Sequence, residues 1–271
     1  MSRRFAAVVQ LTSTSDVQRN LAMAEELVRR AARHGAEIVA TPENTTFLGP
    51  HADKVRLAET LDGPACTLFS GLASELGIHL LLGSFNERAT VPDRCHNTSV
   101  LFGPDGGRLA VYRKIHLFDV DVSDDLRFRE SETIAPGSSV VVAETPLGRI
   151  GLSICYDLRF GELYRALRKE GATWLTIPSA FTLTTGKDHW EPLVRARAIE
   201  NQCIVLAAAQ HGRHDDGGLR QSWGHSAIVD AWGDVVAQAA DGPGIALAEI
   251  DLSRVDQVRS SMPVEQHRRL P

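Results

Sequence analysis

A chain of 271 residues, with 43% apolar and 23% charged side chains, can bury a sizeable core and is too balanced for a disordered, collagen-like or coiled-coil class. Its formal net charge of −5 comes without the clustered Lys and Arg that a nucleic-acid surface needs, which leaves small molecules as the expected partners. Cys66, Cys95, Cys155 and Cys203 form no CxxC pair and MSRRFAAVVQLTSTS holds only a short apolar run, so the reading is a reducing, cytoplasmic setting with neither export nor membrane anchoring.

Along the chain, FAAVVQL and EIVATPE read as strands flanking a helix marked by Val17, Leu21, Ala24, Val28 and Ala31. Ser13 and Asp16 are spaced as a capping box before that helix, and Gly35 can end it. Strand, helix, strand implies two parallel strands with a crossover, and Glu43 sits where the second one ends. A helix over ACTLFSGLASELG leads into the strand IHLLLGSF and then a hairpin turning at GPDGG, after which comes Lys114. Asp119 to about Pro136, with Asp121, Asp124, Asp125, Arg127, Arg129, Glu130 and Glu132, is polar and aperiodic and is expected to be a surface loop over a site.

A second hairpin, SVVVAETPLGRIGLSIC, ends at Cys155. Helix (ELYRALRKEGA), strand (TWLTIPSA), helix (DHWEPLVRARAIENQ) and strand (CIVLAAAQ) then alternate. The tail adds a hairpin turning at DAWGD, the strand GIALAEIDL and a last polar helix. So many strands, some in crossovers and others in hairpins, fit two stacked sheets between helix layers in one domain, 1–271.

Cys155 ends a buried-looking strand and opens a helix, an address where a positive helix end can favour a thiolate. Cys66, Cys95 and Cys203 lie within or beside helix and strand patterns and read as core filling. Hydrolysing an unactivated amide by a thiol needs a base, a cation or donors for the oxyanion, and an acid for the leaving group. Glu43, Lys114 and Cys155 can supply all three.

On these residues the chain resembles the nitrilase superfamily of carbon-nitrogen hydrolases: Glu43 in TPEN, Lys114 in YRKIHLF and Cys155 in GLSICYDLRF match in order and context. Glu130 in RFRESETIAPG matches the family's fourth acidic residue, with Glu132 the weaker candidate. The resemblance implies an α/β four-layer αββα sandwich, a homodimer or higher homo-oligomer, no cofactor and no metal. It also implies an oxyanion hole from Lys114 and the Tyr156 backbone N–H. SAFTLTTG, AAAQHGRH, WGHSAIVDAWG and MPVEQHRR are similar to the branch containing deaminated glutathione amidase, with ω-amidases acting on α-keto amides such as 2-oxoglutaramate nearby. The expected reaction is cleavage of a small carboxylated amide through a thioester, with ammonia released. Gly161, where the branch usually has proline, and Lys187 and Asp188 before HWE depart from its pattern.

For the substrate the candidates are Tyr156, Arg159, His189 and Glu191. Arg127, Arg129, Arg159 and Arg195 are each able to fork onto a carboxylate. Three rivals stand beside this reading. His211, His214, Asp215 and Asp216 could hold a metal, although HExxH is missing; His116 or His189 could serve a Cys–His pair; and the fold could persist as a catalytically silent interaction module.

Overall fold

β1 (Arg3–Gln10) shows why its sheet is covered twice: Ala6 and Val8 face one apolar cluster, while Ala7 and Val9 face another. The structure is a computed structural model describing residues 3–123, 126–216 and 220–269; Asp124 and Asp125 of the polar segment lie outside them. α1 (Val17–Arg33) buries Leu21, Ala24, Leu27, Val28 and Ala31 against the outer face of that sheet. Its cap is Asp16 alone, whose carboxylate accepts the Arg19 N–H at 3.0 Å. Ser13 is not part of a capping box; its hydroxyl donates instead to the carbonyl of Thr45 at 3.2 Å.

β2 (Ile38–Ala40), the short α2 (His51–Arg56), α3 (Pro64–Leu76), β3 (His79–Arg88), β4 (Cys95–Phe102) and β5 (Arg108–Arg113) complete the first half. The expected crossover forms: β1, β2 and β3 are parallel, and β3, β4 and β5 then run antiparallel. The segment expected to be a loop is instead a hairpin, β6 (Asp119–Ser123) and β7 (Leu126–Arg129), followed by a 3-10 turn, Glu130–Glu132. Its acidic composition hid the pairing, which carries an Arg129–Asp121 ion pair at 2.6 Å between its strands.

The second half is built like the first. β8 (Val142–Thr145) and β9 (Gly148–Leu152) form the expected hairpin, followed by a 3-10 turn, Cys155–Arg159, α4 (Gly161–Lys169) and β10 (Trp174–Thr176). α5 (Leu183–Asn201), β11 (Ile204–Ala207), β12 (His211–Arg213), β13 (Gln221–Trp223), β14 (Ala227–Val229) and β15 (Val235–Gln238) follow. β16 (Gly244–Asp251), α6 (Ser253–Ser261) and the short α7 (Val264–His267) come last.

The two large sheets have six strands each, ordered β16-β1-β2-β3-β4-β5 and β15-β14-β11-β10-β9-β8. Each has three parallel strands at its centre, β1–β3 in one and β9–β11 in the other. One apolar cluster joins the inward residues of both sheets with α4 and α5, and the other joins the first sheet to α1 and α3. The layer order is therefore helix, sheet, sheet, helix, as expected. Glu43 and Cys155 leave the carboxyl ends of parallel strands, where α/β sheets leave room for ligands.

Candidate active site

Glu43 is placed by a loop clamped onto β3: the Asn44 and Thr45 N–H groups donate to the hydroxyl and carbonyl of Ser84 at 2.8 and 3.0 Å. Gly83 permits this contact, because a Cβ there would lie 1.9 Å from the carbonyl oxygen of Thr41. The Glu43 carboxylate accepts from Lys114 Nζ at 2.8 Å, from Asn97 Nδ2 at 2.9 Å and from the Ala180 N–H at 2.9 Å. Three donors from three segments fix both its oxygens.

Lys114, 2% exposed, follows β5 and also donates to Glu130 at 3.1 and 2.9 Å. Burial works to discharge its ammonium, but Glu130 and Glu43 outweigh it and hold Lys114 well above the ordinary lysine pKa. For Glu130, burial favours the neutral acid, yet Lys114, Lys54 and the Phe118 N–H at 2.7 Å keep it ionised, below the usual carboxylate range. Glu132, the weaker candidate for this position, points into solvent.

Cys155 adopts φ +47°, a left-handed conformation in a non-glycine residue, with its N–H donating to the carbonyl of Pro178 at 2.9 Å. Asp157, fully buried, holds this turn by accepting from the Ile154 N–H at 2.8 Å, Tyr112 Oη at 2.7 Å and the His116 N–H at 3.0 Å. The positive helix end expected to favour a thiolate is only a five-residue 3-10 turn, and desolvation wins. Burial first, and then the Glu43 carboxylate, push the Cys155 thiol well above its ordinary pKa; Lys114 opposes them. The resting pair is thus a neutral thiol beside a carboxylate that can take its proton.

Glu43, Lys114, Glu130 and Cys155 all line one pocket, together with Tyr156 and Arg159. His189 lies behind it, its Nδ1 3.4 Å from the Arg159 guanidinium, and Glu191 is exposed and paired with Arg195 at 3.6 Å. Neither is among the pocket's lining residues. Arg127 and Arg129 are spent on Asp121, and Arg195 donates to the carbonyl of Gly233 at 2.8 Å; of the four candidate arginines only Arg159 reaches the pocket. His116 stacks on Phe160 with its Nδ1 2.7 Å from Asp157, so it supports the turn and does not line the pocket. His214 is held through both nitrogens, at 2.8 Å from the Ser13 carbonyl and 2.8 Å from the Ser222 hydroxyl.

Asn97, Asp157, Lys54 and Arg220 were not among the sequence candidates. Asn97 also reaches Glu130 at 3.3 Å, tying together two carboxylates that share Lys114. A polar residue within the buried strand β4 is the one sequence signal for it.

A sheet-on-sheet sandwich between helix layers that gathers acid, ammonium and thiol at its strand ends defines the class: a four-layer αββα hydrolase. The chain belongs to the carbon-nitrogen hydrolase family, whose model matches residues 5–260. It is 47% identical over 268 residues to the deaminated glutathione amidase of Bos taurus, covering 97% of this chain and 81% of that protein. Its fold is similar to the crystal structure of the C. elegans NitFhit protein, with a TM-score of 0.93 and 44% identity over 99% of this chain; it spans 66% of that longer chain. Saccharomyces cerevisiae Nit3, a member of branch 10 of the nitrilase superfamily, superposes with a TM-score of 0.88 at 31% identity, covering 99% of this chain and 97% of Nit3.

Proposed function

We propose that the protein is a thiol-dependent amidase for a small carboxylated amide, that Cys155 is its nucleophile, and that deaminated glutathione is the substrate that fits best. The observation carrying this is that Glu43, Lys114 and Cys155 line one pocket, with the Glu43 carboxylate accepting from Lys114 Nζ at 2.8 Å. Cys155 Sγ bonds to the amide carbonyl carbon as its proton passes to Glu43, and the carbonyl electron pair moves onto oxygen. Lys114 and the Tyr156 N–H stabilise that oxyanion. As the C–N bond breaks, Glu43 returns the proton to the leaving nitrogen. Water then attacks the thioester with Glu43 as base, the C–S bond breaks and the thiol recovers its proton. Glu130 keeps Lys114 charged and in place throughout. Ammonia leaves only from a primary amide; the amide nitrogens of deaminated glutathione carry carbon, so there the leaving group is an amine.

The same reading takes residues 1–271 as one domain working as a cytoplasmic homodimer. Ile199, packed against Gly233, and Trp232, next to that glycine in the chain, are 50% and 47% exposed and offer an apolar contact for that pairing. Cys155→Ala is expected to fold normally and to lose turnover of deaminated glutathione by on the order of 10⁴-fold or more. Retention of a tenth of wild-type activity in that variant rejects Cys155 as the nucleophile.

A further inference from the structure

A lysine on a short surface helix normally keeps its ammonium in water. Lys54, on α2, is only 3% exposed, and among the described residues it has no hydrogen-bond or ion-pair partner. It lines the same pocket as Cys155, and so does Arg220. Arg220 stacks over the Phe128 ring, 5.2 Å from its centroid, with its Nε 3.3 Å from Asp216 and a terminal nitrogen against His51. Burial, then Lys54 and Arg220, push His51 down to about 3, so the imidazole stays neutral and adds no charge to this wall.

Among the described residues the pocket's charges do not balance. Among these described residues, Glu43 and Glu130 are satisfied by Lys114, Asn97 and backbone N–H groups, while Lys54 has no counter-ion within ion-pair distance and Arg159 pairs with no carboxylate. Keeping so much of a charged lysine out of bulk water is costly, and an anion arriving in the pocket would offset that cost.

We propose that Lys54, with Arg220 beside it, anchors a carboxylate of the substrate and makes the enzyme prefer carboxylated amides to neutral ones. The proposal rests on the amidase reading and names the substrate class of that same pocket. Lys54 is a specificity residue here and takes no part in the bonds that change.

Two consequences separate this role from a structural one. Burial, followed by the Arg220 charge, lowers Lys54 to about 8, with Glu130 and Glu43 partly opposing; His51 and the buried Cys95 thiol, its other titratable neighbours, are neutral at that pH. As pH rises through about 8 the free enzyme loses the ammonium, so KM for a carboxylated amide should climb. Lys54→Arg, which stays charged, should flatten that rise, whereas a merely structural lysine would give no difference between carboxylated and neutral substrates.

The experiment compares wild type, Lys54→Met and Lys54→Arg on glutaramate and on neutral valeramide. In Lys54→Met the preference for glutaramate in kcat/KM should fall at least tenfold, mainly through KM, and Lys54→Arg should restore most of it. Equal losses on both substrates overturn the proposal. Binding tests it without turnover: glutarate titrated calorimetrically into Cys155→Ala protein should bind at least tenfold more weakly once Lys54→Met is added. Unchanged glutarate binding rejects the subsite even if amidase activity is confirmed, and weakened binding upholds it even if neither amide is hydrolysed.

Discussion

Four cysteines with the same side chain meet four different surroundings. Burial alone leads the upward shift of Cys66 to about 12 and of Cys95 and Cys203 to about 11, as inert core thiols should behave. Cys155 differs in lining the pocket beside Glu43 and Lys114 and in its backbone, which at φ +47° strains any residue bearing a Cβ. That strain is held by the four groups that converge on Asp157, and it turns the thiol toward Glu43. Relief of the strain is measurable in inactive proteins. Cys155→Gly should be more stable than Cys155→Ala by about 0.5–1 kcal/mol, because the left-handed penalty exceeds the extra chain entropy of glycine. Urea denaturation of the two variants decides it; equal midpoints, or a more stable alanine variant, would show the turn to be unstrained.

The elements themselves were largely legible wherever apolar residues recurred with a helical or strand period, as in α1, α3, β3 and the β8–β9 hairpin. The β6–β7 hairpin was not, because Asp119, Asp121, Arg127 and Arg129 gave it the composition of a loop, and only their cross-strand pairing distinguishes the two. Glu43, Lys114, Glu130 and Cys155 were visible as motif matches, while Asn97 and Lys54 gain their meaning from neighbours distant in sequence. Gly83 in β3 lies between these cases: nothing in HLLLGSFNER says that the strand must let another backbone through. Alanine there puts a methyl 1.9 Å from the Thr41 carbonyl oxygen and 2.4 Å from that of Pro42, so the loop carrying Glu43 has to move. Gly83→Ala should lose about 1–3 kcal/mol of stability. It should also slow turnover by on the order of 10²-fold at temperatures where it is fully folded. A folded variant with near wild-type kcat would mean that the Glu43 loop adapts without loss.

At the scale of the molecule, neither sheet holds the site by itself. Glu43, Asn97 and Lys114 come from the sheet centred on β1–β3, and Cys155 and Ala180 come from the sheet centred on β9–β11. Their separation is set by how the two sheets stack, so packing between layers becomes a catalytic variable. One hydrogen bond makes this testable. Tyr112, on β5 of the first sheet, is fully buried and donates at 2.7 Å to Asp157, which holds the Cys155 turn of the second. Burial, then the Asp157 charge, raise the Tyr112 pKa, so the phenol remains a donor at every physiological pH. Tyr112→Phe keeps the ring and removes only that donor, leaving a buried carboxylate oxygen with one fewer partner at a cost of about 1–3 kcal/mol. Were the bond only one more contribution to stability, kcat measured well below the unfolding transition would be unchanged. Because it registers the thiol against the acid and the ammonium, kcat should instead fall at least tenfold with little change in KM, and a wild-type kcat would mean that the His116 contacts to Asp157 and the backbone contact from Cys155 to Pro178 position the nucleophile without this bond.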